Sequence, residues 1–227
     1  MITRPTTIQV FAKAPVPGRA KTRLIPALGA EGAARLARRM LDHALGVAVS
    51  AGLGPVELWA SPGFDSPEWR GFRLPASVTP HPQPEGDLGV RMAHAAAPRL
   101  KDGQGRVLLM GADCPAITPT HLVDAASALD CHEAIMLPAL DGGYPLLGLS
   151  RFHTDVFRDM PWSTPAVADL TLARMQAMQW LVWVGEPLPD IDLPADLIHL
   201  PPRFLDSTLD STLASGMACH ALEGATP

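Results

Sequence analysis

The chain has 227 residues, 47% of them hydrophobic and only 5% aromatic, and its formal charge at pH 7 is −5. This length suits one α/β domain with a substantial core, whereas a net acidic chain with few rings lacks the basic, aromatic face that binds nucleic acid. No run of about 18 apolar residues predicts a membrane span and the first residues do not resemble a signal peptide, so a cytoplasmic protein is expected.

Short apolar runs alternate with helical patterns along the chain. Residues 8–11 predict a first strand that ends in a Pro/Gly-rich loop, and residues 33–48 repeat apolar side chains at helical spacing. Further strands are predicted at 56–60, 107–110, 134–137, 144–149 and 180–184, and further helices at 91–97, 121–129 and 166–178. The strands at 134–137 and 144–149 are too close for a crossover helix, which favours an antiparallel or irregular connection. The predicted fold is therefore a three-layer α/β/α arrangement around a mixed, mostly parallel sheet.

We expect one domain over residues 1–205 and a C-terminal tail over residues 206–227. The tail begins with a tandem echo of Asp-Ser-Thr-Leu followed by small and polar residues, which is typical of a loosely held terminus. A terminal helix that docks on the domain is the alternative.

The loop after the first strand is unusually basic for an acidic chain. It contains four cations: Lys13, Arg19, Lys21 and Arg23. Open α/β sheets bind ligands at the carboxyl ends of their strands, so a basic loop there suits a polyphosphate. A solvated basic loop is the alternative, but the rigid Pro-x-Pro-Gly frame ending at Gly18 favours phosphate binding. Pro15 and Ala20 stand where a Walker A loop needs glycine, and no dinucleotide fingerprint occurs.

Carboxylates follow two other predicted elements. Asp113 comes directly after the strand at 107–110, at the sheet edge expected to carry the basic loop. Asp113 as a helix N-cap is the alternative, although Thr118 before Pro119 is the better cap. Asp190 and Asp192 are separated by one residue, so on an extended segment their side chains would point the same way. A simple turn is the alternative for such a triplet. Together these carboxylates predict a pole that holds a cation against a phosphate.

Several stretches, in this order over residues 8–198, resemble the DUF2064 group of bacterial glycosyltransferases: FAKAPVPGRAKTRL, GDLGVRM, GADCPAIT, PALDGGYPLLGL, WSTP and DIDLPADL. That group is GT-A-like, and it is similar in turn to the molybdenum-cofactor and phospholactate guanylyltransferases. The resemblance implies a nucleotide-diphospho-sugar transferase fold with the nucleotide over the loop of the first strand.

By motif position, the resemblance also implies roles for individual residues. The implied nucleotide-binding residues are Lys13, Gly18, Arg19, Lys21, Arg23, Gly86, Asp87 and Leu88. The implied acceptor-binding residues are Gly142, Gly143, Ser163 and Thr164. The implied ligands of Mg²⁺ or Mn²⁺ are Asp113, Asp190 and Asp192, and the implied catalytic residues are Asp113 and Lys21.

The predicted function is magnesium-dependent transfer of a glycosyl group from a nucleoside-diphosphate sugar to a small-molecule acceptor. In that reaction the acceptor attacks a sugar carbon and a nucleoside diphosphate leaves. A nucleotidyltransferase, in which an oxygen attacks the α-phosphorus and pyrophosphate leaves, is one alternative. A non-catalytic nucleotide-binding module is the other. The expected partners are a nucleotide or nucleotide-sugar and the acceptor, and the oligomeric state stays open, with a homodimer as one option.

Overall fold

The computed structural model describes residues 5–103 and 105–204 of the chain. Within these residues, one sheet contains the strands β1 (Thr6–Lys13), β2 (Val56–Ser61), β3 (Val78–Pro82), β4 (Arg106–Gly111), β5 (Ala134–Leu137), β6 (Leu146–Leu149) and β7 (Val182–Val184). The α-helices are α1 (Ile25–Ser50), α2 (Leu88–Leu100), α3 (Pro119–Ala128) and α4 (Val167–Ala177). Short 3-10 turns lie at Thr22–Leu24, Pro67–Trp69, Thr154–Val156, Pro194–His199 and Pro202–Phe204.

The sheet is mixed and mostly parallel, as predicted. Its strand order is β3-β2-β1-β4-β6-β5-β7. All neighbouring strands are parallel except at β6, which runs antiparallel to both β4 and β5. The short connection between β5 and β6 therefore forms the antiparallel pair that the sequence favoured.

Helices cover both faces of the sheet, because its central strands bury side chains on both sides. On one face, Val10 of β1 belongs to the same hydrophobic cluster as Leu41 of α1, and α3 completes this layer. On the other face, Leu109 of β4 shares a cluster with Met92 of α2, and α4 lies beside it. The arrangement confirms the three-layer α/β/α prediction. Apolar burial on both faces is the main force that holds the layers together.

A third apolar cluster attaches residues 191–204 to the outer side of α1. Ile191 is fully buried in this cluster together with Leu200, Phe204 and Leu36 of α1. Because Ile191 points into the protein, its neighbours in the chain are left at the surface on either side of it. This cluster therefore fixes the place of the Asp190–Asp192 segment, which follows β7.

A buried carboxylate joins α2 to the sheet. Glu57 of β2 is only 2% exposed and accepts hydrogen bonds from Gln9 Nε2 (2.9 Å) and Trp59 Nε1 (3.0 Å). The guanidinium of Arg99 on α2 pairs with its other oxygen, and Gln9 Nε2 also donates to Ala95 O at 2.8 Å. These partners compensate for the loss of water around a buried charge.

The structure departs from the predictions at two elements. Helix α1 begins at Ile25 rather than near residue 33, with a kink at Gly29, whose φ is +69°. Strand β3 was not predicted, because Val78–Pro82 contains two prolines and is largely exposed. Proline is tolerated in edge strands, and β3 is the edge of this sheet. Thr118 caps α3, as predicted.

Two expectations concern parts of the chain that the structure leaves out. The tail at 206–227, and the terminal helix that was its alternative, lie outside the described residues. The division into a domain over 1–205 and a tail stays a prediction. Among the described residues, no helix combines the length and the apolar character that a membrane span requires.

Candidate functional site

A cleft of about 560 Å³ lies at the edge of the sheet where the parallel strands end. Its lining comes from segments that are far apart in the chain: the basic loop after β1, Gln83 after β3, Asp113 after β4 and Asp192 after β7. The parallel direction of these strands brings their carboxyl ends to one edge, which explains why the cleft lies there. The predicted basic loop therefore shares one rim with two of the predicted carboxylates, Asp113 and Asp192.

Lys21 lies at the centre of this arrangement. Its ammonium nitrogen is 2.5 Å from the Ile191 carbonyl oxygen, 3.1 Å from Asp113 Oδ1 and 3.4 Å from Asp192 Oδ1. The Lys21 side chain is only 6% exposed, whereas Asp113 and Asp192 are 57% and 39% exposed. We call these three oxygens the oxygen nest. The buried cation thus joins two carboxylates that follow different strands, the central strand β4 and the edge strand β7.

Two further contacts fix the acidic segments relative to each other and to the loop. The amide of Ile191 donates to the backbone oxygen of Asp113 at 2.9 Å. Arg23 Nη1 donates to Asp192 Oδ2 at 2.7 Å. Asp196 Oδ2 accepts from the amides of Asp192 (2.9 Å) and Leu193 (2.6 Å), which fixes the turn after the second carboxylate. The geometry of the nest is therefore held by backbone as well as by charge.

Asp190 is not brought into the nest with the other two predicted metal ligands. Burial and, to a smaller extent, the negative charge of Asp141 raise the pKa of its carboxyl to about 6, although a backbone hydrogen bond and the charge of Lys21 act in the opposite direction. Within residues 5–103 and 105–204, no group of three or more histidine, cysteine, aspartate or glutamate side chains is arranged to hold a metal ion. The structure thus brings together two of the three, and the metal role of Asp190 stays a prediction.

The donor chemistry of the nest nevertheless suits a hard divalent cation. Mg²⁺ is usually held by one or two carboxylates, with substrate phosphates and water completing its ligands. Asp113 and Asp192 supply the carboxylates, and the Ile191 carbonyl adds a third hard oxygen beside them. The residues present therefore fit Mg²⁺ or Mn²⁺ bound together with a phosphate.

The other cations of the basic loop differ in their surroundings. Lys13 is exposed and lines the cleft. Arg19 also lines it, but its guanidinium, 67% exposed, pairs with Glu68. Gly18 has φ +78°, a conformation that permits the turn leading into Arg19. Arg23 and Lys21 are thus the loop cations that contact the acidic pole.

Gln83 and Arg91 line the cleft too, and the sequence did not single them out as functional. Gln83 Nε2 donates to the backbone oxygens of Trp59 (2.7 Å) and Ala12 (3.2 Å). Its Oε1 then accepts from Arg91 Nη1 at 3.1 Å, and Arg91 Nε donates to Gly86 O at 3.0 Å. The pair is therefore held rigidly by the protein. Arg91 lies within the GDLGVRM stretch and Gln83 three residues before it, and this stretch is the signal that could have identified them.

The three residues predicted from that motif have distinct positions. Asp87 Oδ1 accepts from the Val90 amide at 2.9 Å and so caps α2. Gly86 has φ +119° and supplies the carbonyl that holds Arg91. Leu88 lines the cleft and is 42% exposed. Leu88 is thus the member of the three whose side chain is available to a ligand there.

The predicted acceptor residues lie on two touching turns. Ser163 has φ +64° and lines the cleft. Thr164 Oγ1 donates to Pro161 O at 2.8 Å and so stabilises its own turn. Gly142 has φ +89°, and a Cβ there would lie 2.1 Å from the Pro165 carbonyl oxygen. The amide of Gly143 donates to Asp141 Oδ1 at 2.8 Å. Gly142 therefore allows the two turns to approach closely.

Side chains from outside the cleft also hold the loop that follows Asp113. Arg203 Nη2 donates to Pro115 O at 2.7 Å, and His43 Nε2 lies 3.0 Å from Ile117 O. Cys114, beside Asp113, is 3% exposed, and burial raises the pKa of its thiol to about 11. A thiol with that pKa is protonated at neutral pH, so Cys114 is a packing residue rather than a nucleophile.

Comparison with protein-family models identifies the family. The model of DUF2064, described as "Uncharacterized protein conserved in bacteria", matches residues 44–164. The chain belongs to the DUF2064 family. This DUF2064 protein is also similar, over nearly its whole length, to a solved structure of a proposed nucleotide-diphospho-sugar transferase from Desulfovibrio desulfuricans G20. The two are 31% identical over 96% of each chain, with a TM-score of 0.79.

Two more distant solved structures share the fold of the DUF2064 protein. One is CMP:2-keto-3-deoxy-manno-octonic acid synthetase complexed with CTP, 14% identical, covering 86% of this chain and 96% of that one, with a TM-score of 0.53. The other is 4-diphosphocytidyl-2C-methyl-D-erythritol synthase from Anaerococcus prevotii DSM 20548, 11% identical, covering 87% and 96%, with a TM-score of 0.55. No curated protein matches the chain. The predicted nucleotide-diphospho-sugar transferase fold is confirmed.

Proposed function

We propose that this DUF2064 protein is a transferase that uses a nucleotide-activated donor together with Mg²⁺ or Mn²⁺, and that the reaction is glycosyl transfer from a nucleoside-diphosphate sugar to a small acceptor. One observation carries the proposal: Lys21 and Arg23 meet Asp113 and Asp192 in one cleft at the carboxyl ends of the strands. A metal-bound diphosphate needs both signs of charge in this way, and an open α/β sheet binds ligands at this edge.

We assign different roles to the residues of the cleft. Lys13, Arg23 and Arg91 would bind phosphate oxygens from the walls of the cleft, where they already lie. Asp113 and Asp192 would hold the divalent cation, which when bound neutralises the negative charge that grows on the leaving diphosphate. The turn that carries Ser163 would orient the acceptor. Positioning and charge stabilisation would thus supply most of the rate enhancement.

The names of similar proteins support this class of substrate. The Desulfovibrio desulfuricans relative is a proposed nucleotide-diphospho-sugar transferase, and the synthetase that shares the fold was solved with CTP. Both names favour a nucleotide ligand, and the name of the 31% identical relative favours a nucleotide-sugar. We therefore look for the donor among nucleotide-sugars first.

Nucleotidyl transfer from a nucleoside triphosphate is the second candidate, and the number of cations favours it. The lining of the cleft includes five basic side chains: Lys13, Arg19, Lys21, Arg23 and Arg91. A triphosphate carries more negative charge than a diphosphate and would use more of them. The two reactions differ in the atom attacked, a sugar carbon in one and the α-phosphorus in the other.

A thermal-shift panel separates these candidates. Purified protein is melted with Mg²⁺ or Mn²⁺ and each common nucleoside triphosphate or nucleotide-sugar. We expect a nucleotide-sugar at about a hundred times its Kd to raise Tm by about 5 to 10 °C. Stabilisation by bare triphosphates alone would overturn the glycosyl proposal in favour of nucleotidyl transfer. If no nucleotide shifted Tm with either metal, both candidates would be wrong.

The change Arg91→Met is expected to weaken nucleotide binding about tenfold, because it removes a charge-assisted hydrogen bond from the wall of the cleft. The guanidinium is already held by Gln83 and Gly86, so little entropy is lost when it binds an anion. Isothermal titration calorimetry with the stabilising nucleotide measures the effect. Arg73→Met is the control, since Arg73 is exposed and lies outside the lining of the cleft. Equal affinities for both variants would contradict the role of Arg91.

A further inference from the structure

Lys21 is predicted to bind phosphate, yet its ammonium is already engaged within the protein. Its nitrogen donates hydrogen bonds to Ile191 O (2.5 Å) and Asp192 Oδ1 (3.4 Å) and forms an ion pair with Asp113 Oδ1 at 3.1 Å. The side chain is only 6% exposed, so the ammonium is largely shielded from a ligand in the cleft. Lys21 can therefore bind a phosphate only if it leaves the oxygen nest.

The conformation of Lys21 also indicates a residue held in place by its partners. Its backbone has φ 47° and ψ 46°, the left-handed region, which costs a residue with a side chain about 1 kcal/mol. The ion pairs in the nest compensate for this strain. Loss of those pairs would favour another conformation of the loop, so the position of the ammonium is coupled to the state of the nest.

The three oxygens of the nest can bind either the ammonium of Lys21 or a divalent metal ion. Two carboxylate oxygens and one carbonyl oxygen are hard ligands, as Mg²⁺ and Mn²⁺ require. An ammonium and a divalent ion cannot share these oxygens, because two positive charges at such a separation repel each other.

We infer that Lys21 is an exchangeable occupant of the metal site. In the nucleotide-free protein its ammonium fills the nest, and in the nucleotide complex a divalent cation takes the same oxygens while the freed ammonium binds phosphate. This inference rests on the proposed function, since it requires a nucleotide that carries the metal. Metal and nucleotide then bind cooperatively, and each raises the affinity for the other by the same factor.

Mn²⁺ binding to the nucleotide-free protein tests the exchange. Free Mn²⁺ is measured by electron paramagnetic resonance in titrations of wild type, Lys21→Met and Arg19→Met. We expect Lys21→Met to bind Mn²⁺ about tenfold more tightly than wild type, since the competing cation is gone. Arg19→Met removes the same charge from the same loop, but its guanidinium pairs with Glu68 rather than with the nest. Its Mn²⁺ affinity should stay within about twofold of wild type.

The opposite effect is expected for nucleotide. Lys21→Met should weaken nucleotide binding about tenfold in the presence of Mn²⁺, because the phosphate loses an ammonium partner. Equal or weaker Mn²⁺ binding by nucleotide-free Lys21→Met would overturn the exchange, as would equal tightening in Arg19→Met. If Lys21→Met melts without a cooperative transition, Lys21→Gln replaces it in the same titration.

Failure of the Lys21 exchange and failure of the proposed transferase function would give different experimental results. A wild-type protein that binds no nucleotide would remove the proposed transferase activity. The Mn²⁺ titration of nucleotide-free Lys21→Met does not depend on that result, and it decides by itself whether the ammonium competes for the nest. Tight Mn²⁺ binding by the variant without nucleotide binding by wild type would leave a cation site and require another substrate.

Discussion

Replacing Asp113 with asparagine is expected to lower turnover about a hundredfold to a thousandfold and to leave the fold intact. The substitution keeps the shape of the side chain but removes one of the two negative charges that contact Lys21. Because the Asp113 side chain is 57% exposed, the change costs little packing. Its backbone oxygen still accepts from the Ile191 amide, so the two acidic segments remain joined.

The loss is measured as kcat for release of nucleoside diphosphate or pyrophosphate from the donor found in the thermal-shift panel. Asp124→Asn is the matched control, since Asp124 is an exposed carboxylate on α3 and lies outside the lining of the cleft. The control should keep wild-type turnover, and both variants should melt close to wild type. Undiminished turnover in Asp113→Asn would show that this carboxylate does not hold the metal. A non-catalytic binding module would bind the nucleotide and release no product in any variant.

Replacing Gly142 with alanine is expected to lower the free energy of unfolding by about 3 kcal/mol, the largest stability effect we predict near the cleft. A Cβ at this position would lie 2.1 Å from the Pro165 carbonyl oxygen, far inside van der Waals contact. The φ of +89° adds strain for any residue with a side chain. The carbonyl of Gly142 also accepts from the Ala168 amide at 2.9 Å, so a shifted turn would disturb the start of α4.

Urea unfolding and thermal melting both measure this effect, and a Tm decrease of about 6 to 12 °C corresponds to it in a protein of this size. Gly143→Ala is the control in the adjacent position. Its Cβ would meet only the flexible Asp141 carboxylate, at 3.2 Å, so a loss below about 1 kcal/mol is expected. Similar losses for both variants would mean that the contact with Pro165 does not determine the stability of the turn. Gly142→Ala should also reduce turnover, because the turn that bears Ser163 moves with Pro165.

The sequence predicted most of the fold because its core strands are continuous apolar runs. Strands β1, β2, β4 and β5 are buried along most of their length, and each was predicted within one or two residues of its bounds. Strand β3 contains Pro80 and Pro82 and buries little, so no apolar pattern distinguishes it from a loop. The start of α1 was missed because Gly29 interrupts the helical pattern.

The site could be predicted only as far as strand direction determines it. Parallel strands bring Lys21 and Asp113 to one rim, and this followed from their places after β1 and β4. The sequence did not indicate that the ammonium would enter the acidic pole itself, since this depends on the left-handed conformation of Lys21. Nor did it identify Arg91, because an arginine in the first turns of a helix has the same pattern whether it faces solvent or a ligand.

The reversed strand β6 has a consequence for how this family can change its chemistry over time. Because β6 runs against its neighbours, the connection at 138–145 both leaves the sheet and returns to it at the rim that bears the cleft. The Gly111 amide donates to Pro145 O at 3.1 Å, which fixes the returning end beside β4. Relatives can therefore lengthen or recompose the middle of this connection without altering the pairing of any strand. Under the proposed function, this topology opens one evolutionary route: relatives could change their acceptor by altering this surface loop and keep the loop after β1 unchanged.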